Sequence, residues 1–305
     1  MSDRHPFVSV VIPVLNDAKR LQVCLQALAQ QTYPQTCFEI IVVDNGSEPS
    51  EAIAPIVAAF AGITVATEEF PSSFAARNRG ITLAKGEVIA FTDADCIPAV
   101  DWLEQGVGTL LQTANCGLVA GCVEVFFKNP DRATPVELYE RITAFPQQKL
   151  IEKYHYGATA NVFTFKQVID RVGDFNADLK SSGDIEWGQR VAAFGYTQVY
   201  AKSACIAHPA RDSFTQLFKR TVRLTGGIYD LYCRNRSLFA QNWIYFKTLI
   251  ENLVPPINFV LMVSRHVELR SVWQKIQVAL VMFFVRYVSA GELIRLKLGG
   301  VSTRD

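Results

Sequence analysis

No C-x-x-C pair occurs among the seven cysteines of this chain, Cys24, Cys37, Cys96, Cys116, Cys122, Cys205 and Cys233. Their odd number and scatter argue against a disulfide framework, a zinc knuckle or a redox dithiol, and they read as small core residues in a reducing cytosol. No basic segment followed by an apolar one opens the sequence: Met1-Ser2-Asp3-Arg4-His5-Pro6 runs straight into a strand-like stretch, so no signal peptide is expected. Long apolar runs are missing too. Leu253 to Val263 is interrupted by Pro255 and Pro256, and Ile276 to Val285 is ten residues, short of the roughly 20 needed to span a bilayer, so neither is expected to cross one. The turn after the first strand, Pro13-Val14-Leu15-Asn16, lacks the G-x-G-x-x-G of dinucleotide binders, and there is no P-loop. The basic residues are not interleaved with aromatics in any nucleic-acid module, so nucleic acid is not an expected partner.

What remains is a globular composition. A chain of 305 residues that is 50% hydrophobic and 19% charged can bury a sizeable core, as one large domain or two small ones. The formal net charge of +1 conceals a division. Residues 1–201 hold 15 Lys and Arg against 23 Asp and Glu, a net of −8, whereas residues 202–305 hold 15 against 6, a net of +9. A basic tail behind an acidic front points to an anionic contact for the tail: phosphates, a membrane surface or another chain.

Strand and helix patterns alternate through the first ninety residues. Phe7 to Val14 reads as a strand, and Asn16 or Asp17 can cap a helix to about Gln31, with Leu21, Leu25 and Leu28 at helical spacing. Phe38 to Val43 is a second strand ending at Asp44, followed by the turn residues Asp44-Asn45-Gly46-Ser47 and a helix expected from Pro49 through Phe60. Ile63 to Ala66 is a third strand, Ser72 a candidate cap for a helix carrying Arg77 and Asn78, and Val88 to Phe91 a fourth strand. This alternation implies an α/β fold with a parallel sheet and helices on both faces.

The fourth strand stops at Asp93-Ala94-Asp95. In an open α/β sheet a ligand lies beyond the carboxyl ends of the strands, which is where Asp44, Asp93 and Asp95 all fall. Carboxylates held by one short turn suit Mg²⁺ or Mn²⁺, which keeps waters and shares itself with phosphates. Such pairs also cap helices and decorate turns. With Arg77 between them in sequence, they describe a pocket able to take a nucleotide and its metal, holding phosphate by cations and not by a glycine loop.

Five motifs in order carry a family resemblance: Val10-Val11-Ile12-Pro13-Val14-Leu15-Asn16, Ile41-Val42-Val43-Asp44-Asn45-Gly46-Ser47, Ala76-Arg77-Asn78-Arg79-Gly80, Asp93-Ala94-Asp95, and Ser182-Gly183-Asp184-Ile185-Glu186-Trp187. Across roughly residues 7–225 the chain resembles a family 2 glycosyltransferase of the GT-A fold. The resemblance implies a Rossmann-like, mostly parallel sheet flanked by helices, a nucleotide-diphosphate-sugar donor (UDP-sugar by family habit), a saccharide or lipid-linked hydroxyl acceptor in cell-surface polysaccharide or glycoconjugate synthesis, and inversion at the anomeric carbon. Pro13, Asn16, Asp44, Arg77 and Asp93 are then donor-binding, Asp44 on the base and Asp93 on the ribose or diphosphate side, and Asp95 binds the metal.

The second half supplies the acceptor side. Gly157-Ala158-Thr159-Ala160-Asn161 is a small-residue segment that lets backbone approach a ligand, or a packing turn. Gly173-Asp174-Phe175-Asn176 resembles the turn before the family's catalytic loop. Gly183-Asp184 should open a helix through Phe194, where an acid is stabilised by free N–H groups; it is an N-cap on one reading and the family's catalytic base on the other. The common pattern has a Glu before that Asp and this chain has Gly183; Glu186 is the alternative base. His208 resembles the family's late metal or diphosphate contact, with Arg211 beside it, ahead of a helix from about Ser213 carrying Lys219, Arg220 and Arg223.

Residues 1–238 are therefore expected to form the catalytic domain and 239–305 a helical tail. In the last helix Lys275, Arg286 and Lys297 recur every 11 residues, which at about 100° per residue holds them within about 40° on one face opposite a broad apolar one. Such a helix can lie in a membrane interface or pack on the protein as a hairpin. The expected enzyme is peripheral at the cytoplasmic face of the membrane. The alternatives are a sugar nucleotidyltransferase, disfavoured by the missing N-terminal Gly-rich loop, and an inactive glycosyltransferase-like scaffold.

Overall fold

The computed structural model describes residues 5–233 and 238–304. Residues 1–4 and the side chain of Cys233, both touched on above, lie outside the described residues. The elements run β1 (Val8–Val14), α1 (Ala18–Leu28), β2 (Phe38–Asp44), α2 (Ala54–Val57), β3 (Ile63–Thr67), α3 (Ser73–Leu83), β4 (Val88–Thr92), β5 (Ile97–Pro98), α4 (Trp102–Gln112) and β6 (Cys116–Phe126). They continue with α5 (Pro135–Thr143), α6 (Gln147–Tyr154), β7 (Asn161–Phe165), α7 (Lys166–Val172), α8 (Gly183–Ala193), β8 (Thr197–Pro209), α9 (Phe214–Cys233), α10 (Leu238–Leu253), α11 (Ile257–Arg265) and α12 (Val272–Lys297). Two compact units result: residues 1–124, 145–178 and 183–208 in one, and 125–144, 179–182 and 209–305 in the other.

The first unit is built on a sheet of order β3-β2-β1-β4-β7-β6-β8-β5. β1 lies parallel to both β2 and β4, and β2 to β3. Their carboxyl ends therefore share one edge. β1 has every residue buried, as a central strand covered on both faces requires. Its Pro13 lies past the last pair with β4, Val11 with Phe91, where a missing N–H is tolerated. Alternate residues feed two cores: Val10, Ile12, Ile40, Val42, Val88 and Ala90 go to one face, and Val11, Ile41, Val43, Ile89 and Phe91 to the other.

Two expectations are corrected. The sheet is parallel only through its first four strands; β7 runs antiparallel to β4 and β6, and β5 to β8. Strand-helix alternation stops at β4, and direction beyond it has no signature in a short apolar run. The helix expected from Pro49 through Phe60 is instead a 3₁₀ turn, Pro49–Glu51, and the one-turn α2. Pro55 is the reason: it has no N–H to donate and its ring collides with the carbonyl four residues back, so a helix can start beside it but not run through it.

The antiparallel half is fastened by Asn161, fully buried at the start of β7. Its Oδ1 accepts from Trp102 Nε1 at 2.9 Å, and its Nδ2 donates to the carbonyls of Cys122 and Ala204 at 2.7 and 2.9 Å. One amide thus joins α4, β6, β7 and β8. The small-residue segment before it is a packing turn: a Cβ on Gly157 would stand 2.8 Å from the Ala120 methyl.

The second unit takes in the expected tail and more. Val136, Leu138 and Tyr139 of α5, Leu217 of α9, Val263 of α11, Leu269, and Val278 and Val281 of α12 share one apolar core. α5 begins with Pro135 behind a capping box in which Thr134 and Glu137 satisfy each other's backbone N–H groups. Ser271 and Gln274 do the same for α12. That cap lets α12 run for 26 residues, well beyond the apolar stretch visible in sequence, and by length and composition alone it is long and apolar enough to cross a membrane. A bent pair, Phe239–Leu253 with Ile257–Arg265, broken at 47°, passes the same test. The expectation that no segment here has spanning length is corrected accordingly.

Replacing Asn161 by Leu keeps the branched shape but leaves the Trp102 N–H and two carbonyl lone pairs unmatched. We expect a loss of at least about 3 kcal/mol in urea unfolding, since each orphaned buried polar group costs about 1–3 kcal/mol. A loss under about 1 kcal/mol would show that the amide does not hold the two halves together.

Candidate active site

At the edge where the parallel strands end, the loops after β1 and β2 are tied to each other. Asn16 adopts φ 51°, a left-handed conformation that Asn tolerates better than most residues. Its N–H donates to Ser47 Oγ at 2.9 Å and its Oδ1 accepts from the Glu48 N–H at 2.7 Å. Asp44 Oδ1 accepts from the Ser47 N–H at 3.0 Å, and Asn45 Nδ2 reaches the carbonyls of Glu68 and Phe70, each at 2.8 Å. Pro13, Asn16 and Asp44 are thereby gathered at one end of paired strands, Pro13 opposite Val43 and Val14 opposite Asp44. The expected helix caps work differently. Asp17 precedes α1 without capping it and faces Arg20 at 3.4 Å, and Ser72 precedes α3 with its hydroxyl buried and unpartnered.

α3 carries the side chains that join this edge to α8. Gly80 lets the helix lie against β1: a Cβ there would fall 2.4 Å from a Val11 methyl. One turn earlier Arg77 is almost wholly buried and its Nη2 meets Asp93 Oδ1 at 2.5 Å, with the guanidinium 5.8 Å from the Phe74 ring centre. Asn78 clamps the backbone of Phe175, donating to its carbonyl at 2.8 Å and accepting from its N–H at 3.0 Å. Phe175 stacks on Phe74 and packs edge-on against Phe91, and Trp187 beside it donates to the Gly173 carbonyl at 3.0 Å. The Gly173-Asp174-Phe175 turn and the start of α8 are therefore positioned from α3.

Asp184, the second residue of α8, lies within electrostatic reach of both Arg77 and Asp93. Desolvation raises its carboxyl above the ordinary value, while a hydrogen bond from the Ile185 N–H and the charge of Arg77 draw it back; Asp93 pushes it up again. Glu186 is engaged elsewhere, both its oxygens gripped by Arg190 at 2.9 Å. The departure at Gly183 has a steric cause, because a Cβ there would stand 2.7 Å from the Phe74 ring. Ser182 before it adopts φ 64°.

Asp95 faces the His208 imidazole, with Nε2 at 3.4 Å, and the Arg20 guanidinium, with Nη1 at 3.5 Å. His208 is buried at the end of β8 with its ring 4.7 Å from Phe145. The ligand atoms of Asp95, Cys96 and His208 all lie within 4.8 Å of one another, so the donor set fits a divalent cation held by carboxylate and imidazole. Cys96 is a poor third ligand for a hard ion: burial and the charges of Asp93 and Asp95 push its thiol well up, keeping it protonated. Arg20 was missed in the sequence reading; its signal was a cation one helical turn after Asp17 behind the first strand. Arg211 belongs to the second unit, where Nη1 donates to the buried Glu140 at 2.8 Å with Arg220 on the other carboxylate oxygen at 3.7 Å.

A mixed sheet with a parallel half and carboxylates at the edge where its strands end is the architecture of GT-A glycosyltransferases. The fold agrees: a mannosyltransferase from Pyrobaculum calidifontis, solved with GDP-Man and Mn²⁺, superposes with a TM-score of 0.61 at 18% identity over 94% of this chain and 88% of that one. GalNAc-T7, solved with UDP, GalNAc and Mn²⁺, gives 0.59 at 18% identity, covering 82% of this chain and 51% of that one. Glycosyl transferase family 2 matches residues 9–174, and the glycosyltransferase AglE of Haloferax volcanii is 38% identical over 239 residues, 77% of either chain. The pre-mycofactocin glycosyltransferase of Mycobacterium tuberculosis is 26% identical over 76% of this chain and 48% of its own. The protein belongs to glycosyl transferase family 2.

Gly183→Ala should lower stability by about 1–3 kcal/mol, the usual range for overpacking, because the Phe74 ring is held by Phe175 and has little room to yield. Chemical denaturation measures it. An unchanged midpoint would mean that the ring moves freely and that sterics do not explain the glycine.

Proposed function

We propose that the protein is an inverting, metal-dependent glycosyltransferase that moves a sugar from a nucleotide-diphosphate sugar, UDP-linked in the first instance, to a hydroxyl of a saccharide or lipid-linked acceptor in the making of cell-surface polysaccharide or glycoconjugate. The observation that carries this reading is the convergence on Asp184 of Arg77 and Asp93, with Asp95 and His208 paired on the same unit. Residues 1–238 are proposed to do the chemistry, and 239–305 to form the tail.

In this reading Pro13, Asn16 and Asp44 line the base, and Asp93, held in place by Arg77, the ribose or diphosphate. Asp95 and His208 hold Mg²⁺ or Mn²⁺, which when bound offsets charge on the leaving diphosphate. Arg211 is proposed, on the family resemblance alone, as a further diphosphate contact. Asp184 takes the acceptor proton as the hydroxyl oxygen attacks the anomeric carbon from the face opposite the departing diphosphate, a general-base contribution of about 10²–10⁴ in rate. A carboxyl raised by desolvation is a stronger base than an exposed one, which suits that task.

Asp184→Asn should retain donor affinity and lose transfer, whereas Asp95→Asn should lose Mn²⁺-dependent UDP binding with the fold intact. Asp184 must be ionised to act, so the acidic limb of kcat/KM should lie above the ordinary value of 3.8, and Arg77→Met, which removes a charge that lowers that pKa, should shift the limb to higher pH. Equal loss of donor binding and transfer in Asp184→Asn would make it structural. In donor hydrolysis, slow release of sugar and nucleoside diphosphate supports the proposal; pyrophosphate would indicate the nucleotidyltransferase, and no turnover the scaffold.

We further propose peripheral attachment of the tail at the cytoplasmic membrane face, where nucleotide sugars are available. The basic stripe is partly engaged within its own unit: Lys275 Nζ donates to the Ser264 carbonyl and Lys297 Nζ to Asn242 Oδ1, each at 2.6 Å, and Arg286 Nε is buried, although Lys297 as a whole is exposed. Also exposed is an apolar face of α10, Phe239, Trp243, Phe246 and Ile250, at helical spacing, with Trp273, Ile276, Leu280 and Tyr287 exposed on α12. Arg286, Glu292 and Arg295 along α12 favour lying in the interface over crossing it, since each charge at the bilayer centre is costly. Changing Trp243, Phe246 and Ile250 together to Ser should weaken liposome binding at least about tenfold, given about 1.5–3 kcal/mol for each large apolar side chain removed from water. Lys275→Gln with Lys297→Gln should instead lower thermal stability. Binding that persists in the triple variant and disappears in the double one would reverse the assignment.

A further inference from the structure

We propose that Cys122, Glu124 and Cys205 form a second cation site, built for a borderline-soft divalent ion of the zinc type and separate from the Asp95–His208 pair. The first two sit two residues apart on β6 and so share a face; the third is on β8, the neighbouring strand in the sheet. Cys205 lies on the face of β8 opposite Ala204, Ile206 and His208, which are buried. The two sulfurs and a Glu124 oxygen all lie within 4.8 Å of one another. Zinc bonds of about 2.3 Å to sulfur and about 2.0–2.2 Å to oxygen make a tetrahedron with edges of about 3.3–3.8 Å, so closing this triangle onto an ion takes side-chain adjustment only. Two thiolates and a carboxylate are a donor set that selects zinc over the harder magnesium or manganese.

The electrostatics run the same way. Glu124 is exposed and makes no ion pair among the described residues, and both it and Asp101 act on Cys205. Burial, the nearby Cys122 and these carboxylates all raise the Cys205 thiol, while its Sγ lies 3.1 Å from the Lys202 carbonyl. Tyr200, whose hydroxyl is also raised by burial and by its neighbours, shares a side-chain hydrogen bond with Cys122. Without a cation the Cys205 thiol stays protonated. A divalent ion supplies the missing positive charge, and both thiols lose their protons to solvent as it binds, so affinity should rise with pH. Water or Tyr200 fills the fourth position. Bound there, the ion would tie β6 to β8 three residues before His208.

The test uses the full-length protein, reduced and stripped with chelator, then titrated with Zn²⁺ and with Co²⁺ as a spectroscopic stand-in. One equivalent of zinc should survive desalting, two thiols should become protected from a thiol-reactive dye, and Co²⁺ should give thiolate charge-transfer absorption. Cys122→Ser and Cys205→Ser should each abolish the absorption. Glu124→Gln, at an exposed position that leaves the fold alone, should weaken zinc by at least roughly 10–100-fold, the loss that follows removal of even an outer partner of a metal ligand. Asp95→Asn and Cys96→Ser should leave it intact. Zinc uptake that disappears in Asp95→Asn or Cys96→Ser, or is unaffected by Cys122→Ser, would overturn the proposal. So would a reduced protein that takes up no zinc but loses two hydrogens on air oxidation, the mark of a Cys122–Cys205 disulfide pair.

Discussion

The ion pair of buried Arg77 with half-buried Asp93 is the constraint around which the rest is arranged. A guanidinium out of water needs a charged partner, and the carboxylate at the end of β4 has no other ion pair among the described residues. Because Arg77 is on α3 and Asp93 beyond β4, satisfying that pair fixes the helix against the sheet edge, and Gly80 lets it come near enough. Everything else on α3 follows from this placement: Phe74 meets Gly183, Asn78 meets Phe175, and the N-terminus of α8 is delivered with Asp184 facing the same two charges. The site thus sets three carboxylates, Asp93, Asp95 and Asp184, against the fixed charges of Arg77 and Arg20, with the His208 imidazole beside Asp95, and a divalent cation there would join the positive side.

Legibility in the sequence followed the range of the interactions. β1 to β4 were readable because each is a short apolar run closed by turn residues, and because a carboxylate at a strand end has a position even before the strand has neighbours. The pairing of Asp95 with His208 was reached only through family resemblance, as 113 positions separate them and no periodicity links the two. The antiparallel half was not read at all. In β6 nearly every residue is apolar, a pattern that a buried helix shares, and what turns it into a strand is the amide of Asn161, a residue that from sequence looks like part of a flexible small-residue segment. Arg20 was missed because a cation on the exposed flank of a helix is ordinarily just solvated.

The tail shows what a periodic pattern does and does not convey. Lys275 and Lys297 do recur at one face of α12, but that face turns to α11 and α10, where their ammonium groups find a carbonyl and an amide oxygen. Periodicity gives the side of a helix on which residues meet; it does not say whether water, lipid or protein is waiting there. Here the answer is mixed: Lys275 and Arg286 are half-buried and Lys297 is exposed, while aromatic side chains stand exposed on α10 and α12.

The four contacts made by Phe74, Arg77, Asn78 and Gly80 fall within two turns of a single helix. Their angular spacing is set by the backbone and not by the side chains, so adding or deleting one residue between Phe74 and Gly80 would swing those downstream through about 100° and uncouple them from those upstream. Substitution can adjust each contact separately, but a change of length disturbs them all. Insertions and deletions among relatives should therefore collect in the segments on either side, 68–72 and 84–87, and the helix itself should act as a ruler of invariant length between the edge where the parallel strands end and the start of α8.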